Sequence, residues 1–249
     1  SRVGQQLGAE IGIGGGAFLL HWDGKGVAAW DGRETAPAAA DEKLFLMPDG
    51  KPMPFREAVP GGRSVGVPGA VRMLEAAHRE HGQLPWATLF QPAITLAEQG
   101  FKLSPRLHTQ LKTETALKND AQARTYFYGA DGEPLAVGTV VKNPALADVL
   151  RGIASRGSAA LLSGPVAADI VKRVRGHATN PGRLTEADLA GYTPKRRESI
   201  CTVWKVTVRV CGFPPPSSGH IAVMQILGVL ERSAPPAQGA HTDEILGAA

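Results

Sequence analysis

Two short apolar runs around a glycine-rich turn constrain this chain more than any other feature. Ala17-Phe18-Leu19-Leu20-His21-Trp22 and Val27-Ala28-Ala29-Trp30 flank Asp23-Gly24-Lys25-Gly26, and Gly14-Gly15-Gly16 leads into the first run. The pattern reads as a β-hairpin. The second run empties directly into Asp31-Gly32-Arg33-Glu34-Thr35-Ala36-Pro37. A strand ending this way positions Arg33 and leaves its side chain free to point into a cleft.

Beyond residues 47–69, a Pro- and Gly-dense irregular loop, the pattern turns helical. Val71, Leu74, Ala77 and His78 keep helical spacing up to a stop at Gly82. Trp86, Leu89, Phe90, Ala93, Ile94 and Ala97 form a second stripe, which Pro92 should kink or split. Asn143-Pro144 fits an N-cap and first helical position for Leu146, Val149, Leu150 and Ile153. Ser163-Gly164-Pro165 opens another helix, and Thr185-Glu186-Ala187-Asp188 resembles a capping box with Asp in place of Glu. The alternation through Val203 to Val210 predicts one half-buried strand, followed by a proline break and a helix with Ile221, Met224, Leu227 and Leu230. The chain is therefore α+β or α/β, with helices dominating its middle.

A length of 249 residues suffices for one large or two small domains. With 43% hydrophobic and 20% charged residues the composition is that of a globular protein. The nearest approach to a membrane span, Cys211 to Leu230, is interrupted by Pro214, Pro215 and Pro216. Ser1 to Gln6 contain no apolar core of a signal peptide. Between residues 172 and 209, nine bases stand against three acids. Lys195-Arg196-Arg197 has no interleaved aromatic residue for base stacking, so a solvated face or a partner contact is expected rather than a nucleic-acid site.

Cys201 and Cys211 lie ten apart, without zinc-ligand spacing. If the residues between them form one strand, it spans roughly 30 Å, against a Cα limit of about 7 Å for a disulfide. No Gly, Pro or Asn intervenes to make a turn. Both thiols are expected to be free.

Chemistry-bearing motifs are few. Gly12-Ile13-Gly14-Gly15-Gly16 precedes a strand rather than a helix and lacks the Lys-Ser/Thr of a phosphate loop, so close backbone packing or a sharp turn explains it better. His78 and His81 do not form a metal motif, and no Gly-x-Ser-x-Gly elbow occurs. No metal and no cofactor are expected. Ser217-Ser218 before a helix suggests capping ahead of anion binding. Arg33 carries the side chain suited to bidentate recognition of a carboxylate.

Taken in order, Gly14-Gly15-Gly16-Ala17-Phe18, Asp31 through Pro37, Gly62-Arg63-Ser64-Val65-Gly66-Val67-Pro68-Gly69 and Leu84 through Ala93 resemble the heavy chain of γ-glutamyltranspeptidase. The similarity resumes at Leu184-Thr185, at Asp188-Leu189-Ala190-Gly191-Tyr192 and at Gly212-Phe213-Pro214-Pro215-Pro216-Ser217-Ser218-Gly219. Where the family usually has a second Gly after Ser-Ser-Gly, this chain has His220.

The resemblance implies an α+β N-terminal-nucleophile hydrolase, an αββα sandwich of which residues 1–249 form a single partial domain, the heavy-chain part. It implies a precursor that cuts itself, and a light chain whose new N-terminal Thr attacks the γ-glutamyl amide of glutathione or a related compound. The glutamyl group then passes to water, an amino acid or a peptide. Arg33 matches the family residue that pairs with the substrate α-carboxylate. The family's opening helices are expected to be missing from Ser1 to Ile11. No catalytic residue is expected within this chain, because the nucleophile belongs to the light chain, and the segment alone is expected to be inactive. The resemblance also implies a periplasmic or secreted protein. Two other readings remain: an acylase of the same fold acting on a β-lactam side chain or poly-γ-glutamate, and a non-catalytic binding or scaffold protein.

Overall fold

The computed structural model describes residues 12–205 and 207–233, so the expectation of missing opening helices at Ser1 to Ile11 lies outside the described residues. The chain gathers into two compact units, Ser1–Gly16 with Arg33–Thr193 and Ala17–Gly32 with Pro194–Ala249.

In the second of these units the expected hairpin is present. Strand Ala17–Trp22 pairs antiparallel with strand Val27–Gly32, in a register running from Ala17↔Gly32 to Trp22↔Val27. The turn is held by Asp23, whose Oδ1 accepts from the backbone N–H groups of Lys25 and Gly26, each at 2.8 Å. Gly24 takes the left-handed φ of 94° that the turn demands. Strand Lys195–Glu198 joins the free side of Val27–Gly32, antiparallel, with Asp31 opposite Lys195.

That strand comes from the basic block, and two of its cations face inward-lying partners. The Arg196 guanidinium stands 4.2 Å from the centre of the buried Trp30 ring. Nε and Nη2 of Arg197 both donate to Oδ2 of Asp31, at 3.0 and 2.7 Å, and Asp31 is only 6% exposed. Two of the nine bases of the block expected to be solvated or partner-facing, Arg196 and Arg197, are thus tied to the hairpin's second strand, while Lys172, Arg173, Arg175 and Lys195 are exposed.

The single strand expected across Val203 to Val210 is instead a hairpin, Ile200–Trp204 against Val208–Gly212. Cys201 faces Cys211 in its register and the two form a disulfide, so the expectation of free thiols is overturned. The turn that no Gly, Pro or Asn announces is made by Lys205, which adopts a φ of 49°. Its N–H donates to Glu231 Oε1 at 2.9 Å, and its carbonyl accepts from the Thr207 N–H at 2.7 Å. A non-glycine residue there costs about 1–2 kcal/mol, which the cross-strand pairing and these bonds offset.

Helix Gly219–Arg232 completes the unit. Ser218 occupies its N-cap position without a side-chain cap hydrogen bond, so capping by that hydroxyl is not observed. His220 is buried against Gly212, where a Cβ would collide with its ring. Glycine at 212 is what accommodates the imidazole.

The other unit is mostly helical. Helix Ala70–His81 ends at Gly82 as the spacing predicts. The second stripe splits at Pro92 into a 3₁₀ turn, Trp86–Phe90, and helix Gln91–Gln99. Helix Pro144–Arg156 starts at Asn143, whose Oδ1 accepts from the Leu146 N–H at 3.0 Å. Helix Glu186–Gly191 carries the full capping box of Thr185 and Asp188. Val67, Val71, Ile153, Leu161, Leu184 and Leu189 meet in the main core, with Leu184 and Leu189 fully buried. A smaller core of Leu103, Leu111, Tyr128 and Val141 lies beside the short pairing of Phe101–Lys102 with Val140–Val141.

The loop at 47–69 is less irregular than its composition suggests. It contains a short helix, Phe55–Ala58, and Nδ2 of the buried Asn180 reaches the carbonyls of Glu57, Ala58 and Pro60. Among the described residues no helix is long and apolar enough to cross a membrane.

Candidate functional site

Arg33 follows directly on strand Val27–Gly32, with its side chain 57% exposed. Its backbone, by contrast, is held on several sides within the Arg33–Thr193 unit. Gly16 lies against its Cα, where an added Cβ would come within 2.8 Å, and against the Glu34 carboxyl. The Tyr192 hydroxyl donates to the Arg33 carbonyl at 2.7 Å. Two residues on, Thr35 exchanges backbone hydrogen bonds with Val67, at 3.3 and 2.8 Å. Of the glycines at 14–16 it is Gly16 that serves close packing, Gly14 having open space around it, and the Gly15 carbonyl accepts the N–H groups of Gly69 and Ala70 where helix Ala70–His81 begins.

Four of the sequence segments that carry the family resemblance converge here: Gly14–Gly16, Arg33–Thr35, Gly66–Gly69 and Gly191–Tyr192. The segment after Arg33 is fastened as well. The Ala38 N–H donates to Asp188 Oδ1 at 2.9 Å, and Arg183 binds the Ala39 carbonyl and pairs with Asp41. A cavity of about 330 Å³ opens between Thr35, Ala36, Val67, Asp188, Tyr192 and Thr193. The cavity is shallow and open, and Arg33 is not among the residues that line it.

The electrostatics divide by residue. Nη1 of Arg33 lies 3.2 Å from Glu34 Oε2, in an ion pair without hydrogen-bond alignment at that oxygen. Burial pushes the Asp188 carboxyl up, but the N–H of Ala38 and the hydroxyl and N–H of Thr185 outweigh it, holding the group below its ordinary value. With its oxygens occupied in this way, Asp188 is a structural acid. The Arg33 side chain, paired with Glu34, stands mostly in solvent on a backbone that is held by its neighbours. Such an arrangement suits the orientation of a small carboxylate.

The remaining sequence candidates fall elsewhere. His78 Nε2 lies 2.8 Å from the Leu84 carbonyl, and its ring packs 5.2 Å from Trp86. Among the described residues no three His, Cys, Asp or Glu side chains group as metal ligands. Ser217, Ser218 and His220 belong to the unit of the hairpins. The sequence reading gives Tyr192 no role of its own, because locally it looks like any core tyrosine. Only its hydroxyl contact separates it from the apolar neighbours with which it is buried.

Comparison with known proteins relates the sequence and fold of this chain to one family. A family model described as Gamma-glutamyltranspeptidase matches residues 7–245. Glutathione hydrolase 2 of Arabidopsis thaliana is 37% identical over 223 residues, 89% of this chain and 37% of that protein. The glutathione hydrolase proenzyme of Pseudomonas aeruginosa is 35% identical over 228 residues, covering 91% and 39%. Among solved structures, Helicobacter pylori γ-glutamyltranspeptidase superposes with a TM-score of 0.88 at 29% identity, over 98% of this chain and 69% of that one. The chain thus spans well under half the length of these two curated relatives.

Proposed function

The chain belongs to the γ-glutamyltranspeptidase family, an α+β N-terminal-nucleophile hydrolase family, and from that premise we propose that residues 1–249 form the heavy-chain part, a single partial domain, of a γ-glutamyltransferase/glutathione hydrolase. Its partner is a light chain cut from the same precursor. The light chain's N-terminal Thr attacks the γ-glutamyl amide of glutathione or a related compound; its own α-amino group takes the hydroxyl proton and passes it to the amine that leaves as the amide C–N bond breaks. The resulting acyl-enzyme passes the glutamyl group to water, an amino acid or a peptide. Arg33 pairs with the substrate α-carboxylate and fixes the orientation of the γ-carbonyl.

The observation that carries this reading is the contrast at Arg33 between a clamped backbone and an exposed guanidinium. A planar fork held in this way can receive a carboxylate bidentately, which an ammonium cannot do. The disulfide between Cys201 and Cys211 supports a periplasmic or secreted location, since such bonds persist in oxidising compartments.

The test is to express the complete reading frame and take an intact mass under denaturing conditions alongside an assay with a γ-glutamyl anilide. Two chains, the second beginning with Thr, together with release of the aniline, are expected. A single uncut chain that releases none would overturn the proposal.

A further inference from the structure

We infer that Tyr192 is a positioning residue for Arg33, acting through the backbone and sensed by the substrate's α-carboxylate. The inference rests on the reading of Arg33 given above.

Tyr192 is 6% exposed and packs in the main core, so its O–H needs a partner inside the protein. That partner is the carbonyl of Arg33, at 2.7 Å, across 159 residues of sequence. The phenol would merely be satisfied by this bond if Tyr192 itself could drift, but it cannot. Nη1 of Arg72 donates to the carbonyls of both Ala190 and Tyr192, each at 2.8 Å. Arg72 belongs to helix Ala70–His81, and its Nε reaches Oγ of Ser158 at 3.3 Å. Ser158 is buried and gives its hydroxyl and its N–H to Glu75, one turn further along the same helix.

A rigid helix thereby grips the tyrosine backbone, and the tyrosine hydroxyl grips Arg33. Gly16 adds a second restraint by lying on the Arg33 Cα. Between them these contacts set the origin from which a long, exposed side chain must reach a carboxylate. Misplacing such a group by about 1 Å is enough to lose a large part of its effect. A tyrosine kept only to fill the core would act on every substrate alike. A tyrosine that positions Arg33 should matter only when the substrate carries the group that Arg33 binds.

The experiment compares two substrates in the enzyme carrying both chains: a γ-glutamyl anilide and the 4-aminobutyryl anilide, which has the same amide and amino group but no α-carboxylate. Tyr192→Phe keeps the ring and removes the hydroxyl. It is expected to raise KM for the γ-glutamyl anilide by about three- to tenfold, the effect of one neutral hydrogen bond, with kcat nearly constant. The efficiency toward the 4-aminobutyryl anilide should not change. Arg72→Gln, which frees the Tyr192 carbonyl while leaving the phenol, should show the same selectivity and serves if Tyr192→Phe does not mature.

Equal losses on both substrates, or no loss on either, would overturn the inference. Arg33→Lys run in parallel separates the two levels of the argument. If Arg33→Lys treats both substrates alike, the reading of Arg33 itself fails. If it discriminates and both Tyr192→Phe and Arg72→Gln are silent, only the role of Tyr192 fails.

Discussion

Gly16 packs so closely on Arg33 that a methyl group in place of its hydrogen would lie 2.8 Å from the Arg33 Cα and 2.5 Å from Glu34 Oε2. The glutamate side chain could swing away, but the backbone of Arg33 is also bound by Tyr192 and could yield only by moving the residue proposed to receive the substrate. Gly16→Ala is therefore expected to cost about 1–3 kcal/mol of stability, as overpacking generally does, and to raise KM for a γ-glutamyl substrate. Gly26→Ala, at a glycine with open space around it, is the control and should do neither. Denaturant unfolding and steady-state kinetics on both variants test this, and a neutral Gly16→Ala would contradict it.

The Cys201–Cys211 bridge makes a prediction of its own. Alkylation of the unfolded protein should label neither cysteine before reduction and both after it. Replacing the pair with Ser should lower the unfolding free energy by up to about 2–3 kcal/mol, the value for a short closed loop. Labelling without a reductant would show that the bridge is not formed in the folded protein.

The acid limb of stability should depend on Glu75 and Asp188. Burial pushes the Glu75 carboxyl up, yet the hydroxyl and N–H of Ser158, with Arg79, hold it below its ordinary value, and Asp188 is lowered in the same manner by Ala38 and Thr185. A folded-state value below the unfolded one adds stability that is full above the unfolded pKa of about 4. That stability is lost as pH falls through the folded value. Unfolding free energy should therefore be flat from neutral pH to about 5 and drop below about 4. Asp188→Asn should lower the plateau and make the drop shallower, and an unaltered slope would argue against this origin.

These features were legible in the sequence to different depths. The first hairpin, the Asn143 cap, the Thr185–Asp188 box and the stop at Gly82 all follow from residues whose local chemistry permits little else, and each is in place. The second hairpin was not legible, because its turn uses Lys205 at positive φ, stabilised by the distant Glu231 and by a cross-strand bridge. Tertiary contacts of this kind leave no local pattern. The same holds for the basic block, whose Arg197 finds Asp31 across a strand pairing that composition cannot reveal. Arg33 stood out through the motif around it, whereas the contacts of Gly16 and Tyr192 with it appear only once the chain is folded.

The central claim is that Arg33 receives the substrate's α-carboxylate, and its most direct test is the KM of Arg33→Lys for a γ-glutamyl anilide in the enzyme carrying both chains. Lys keeps the charge and loses the planar fork, so KM should rise by at least about tenfold, the effect of losing a charge-assisted hydrogen bond. Because the Arg33 side chain is mostly exposed, the melting temperature should barely move. An unchanged KM in a folded, processed Arg33→Lys enzyme would contradict the account.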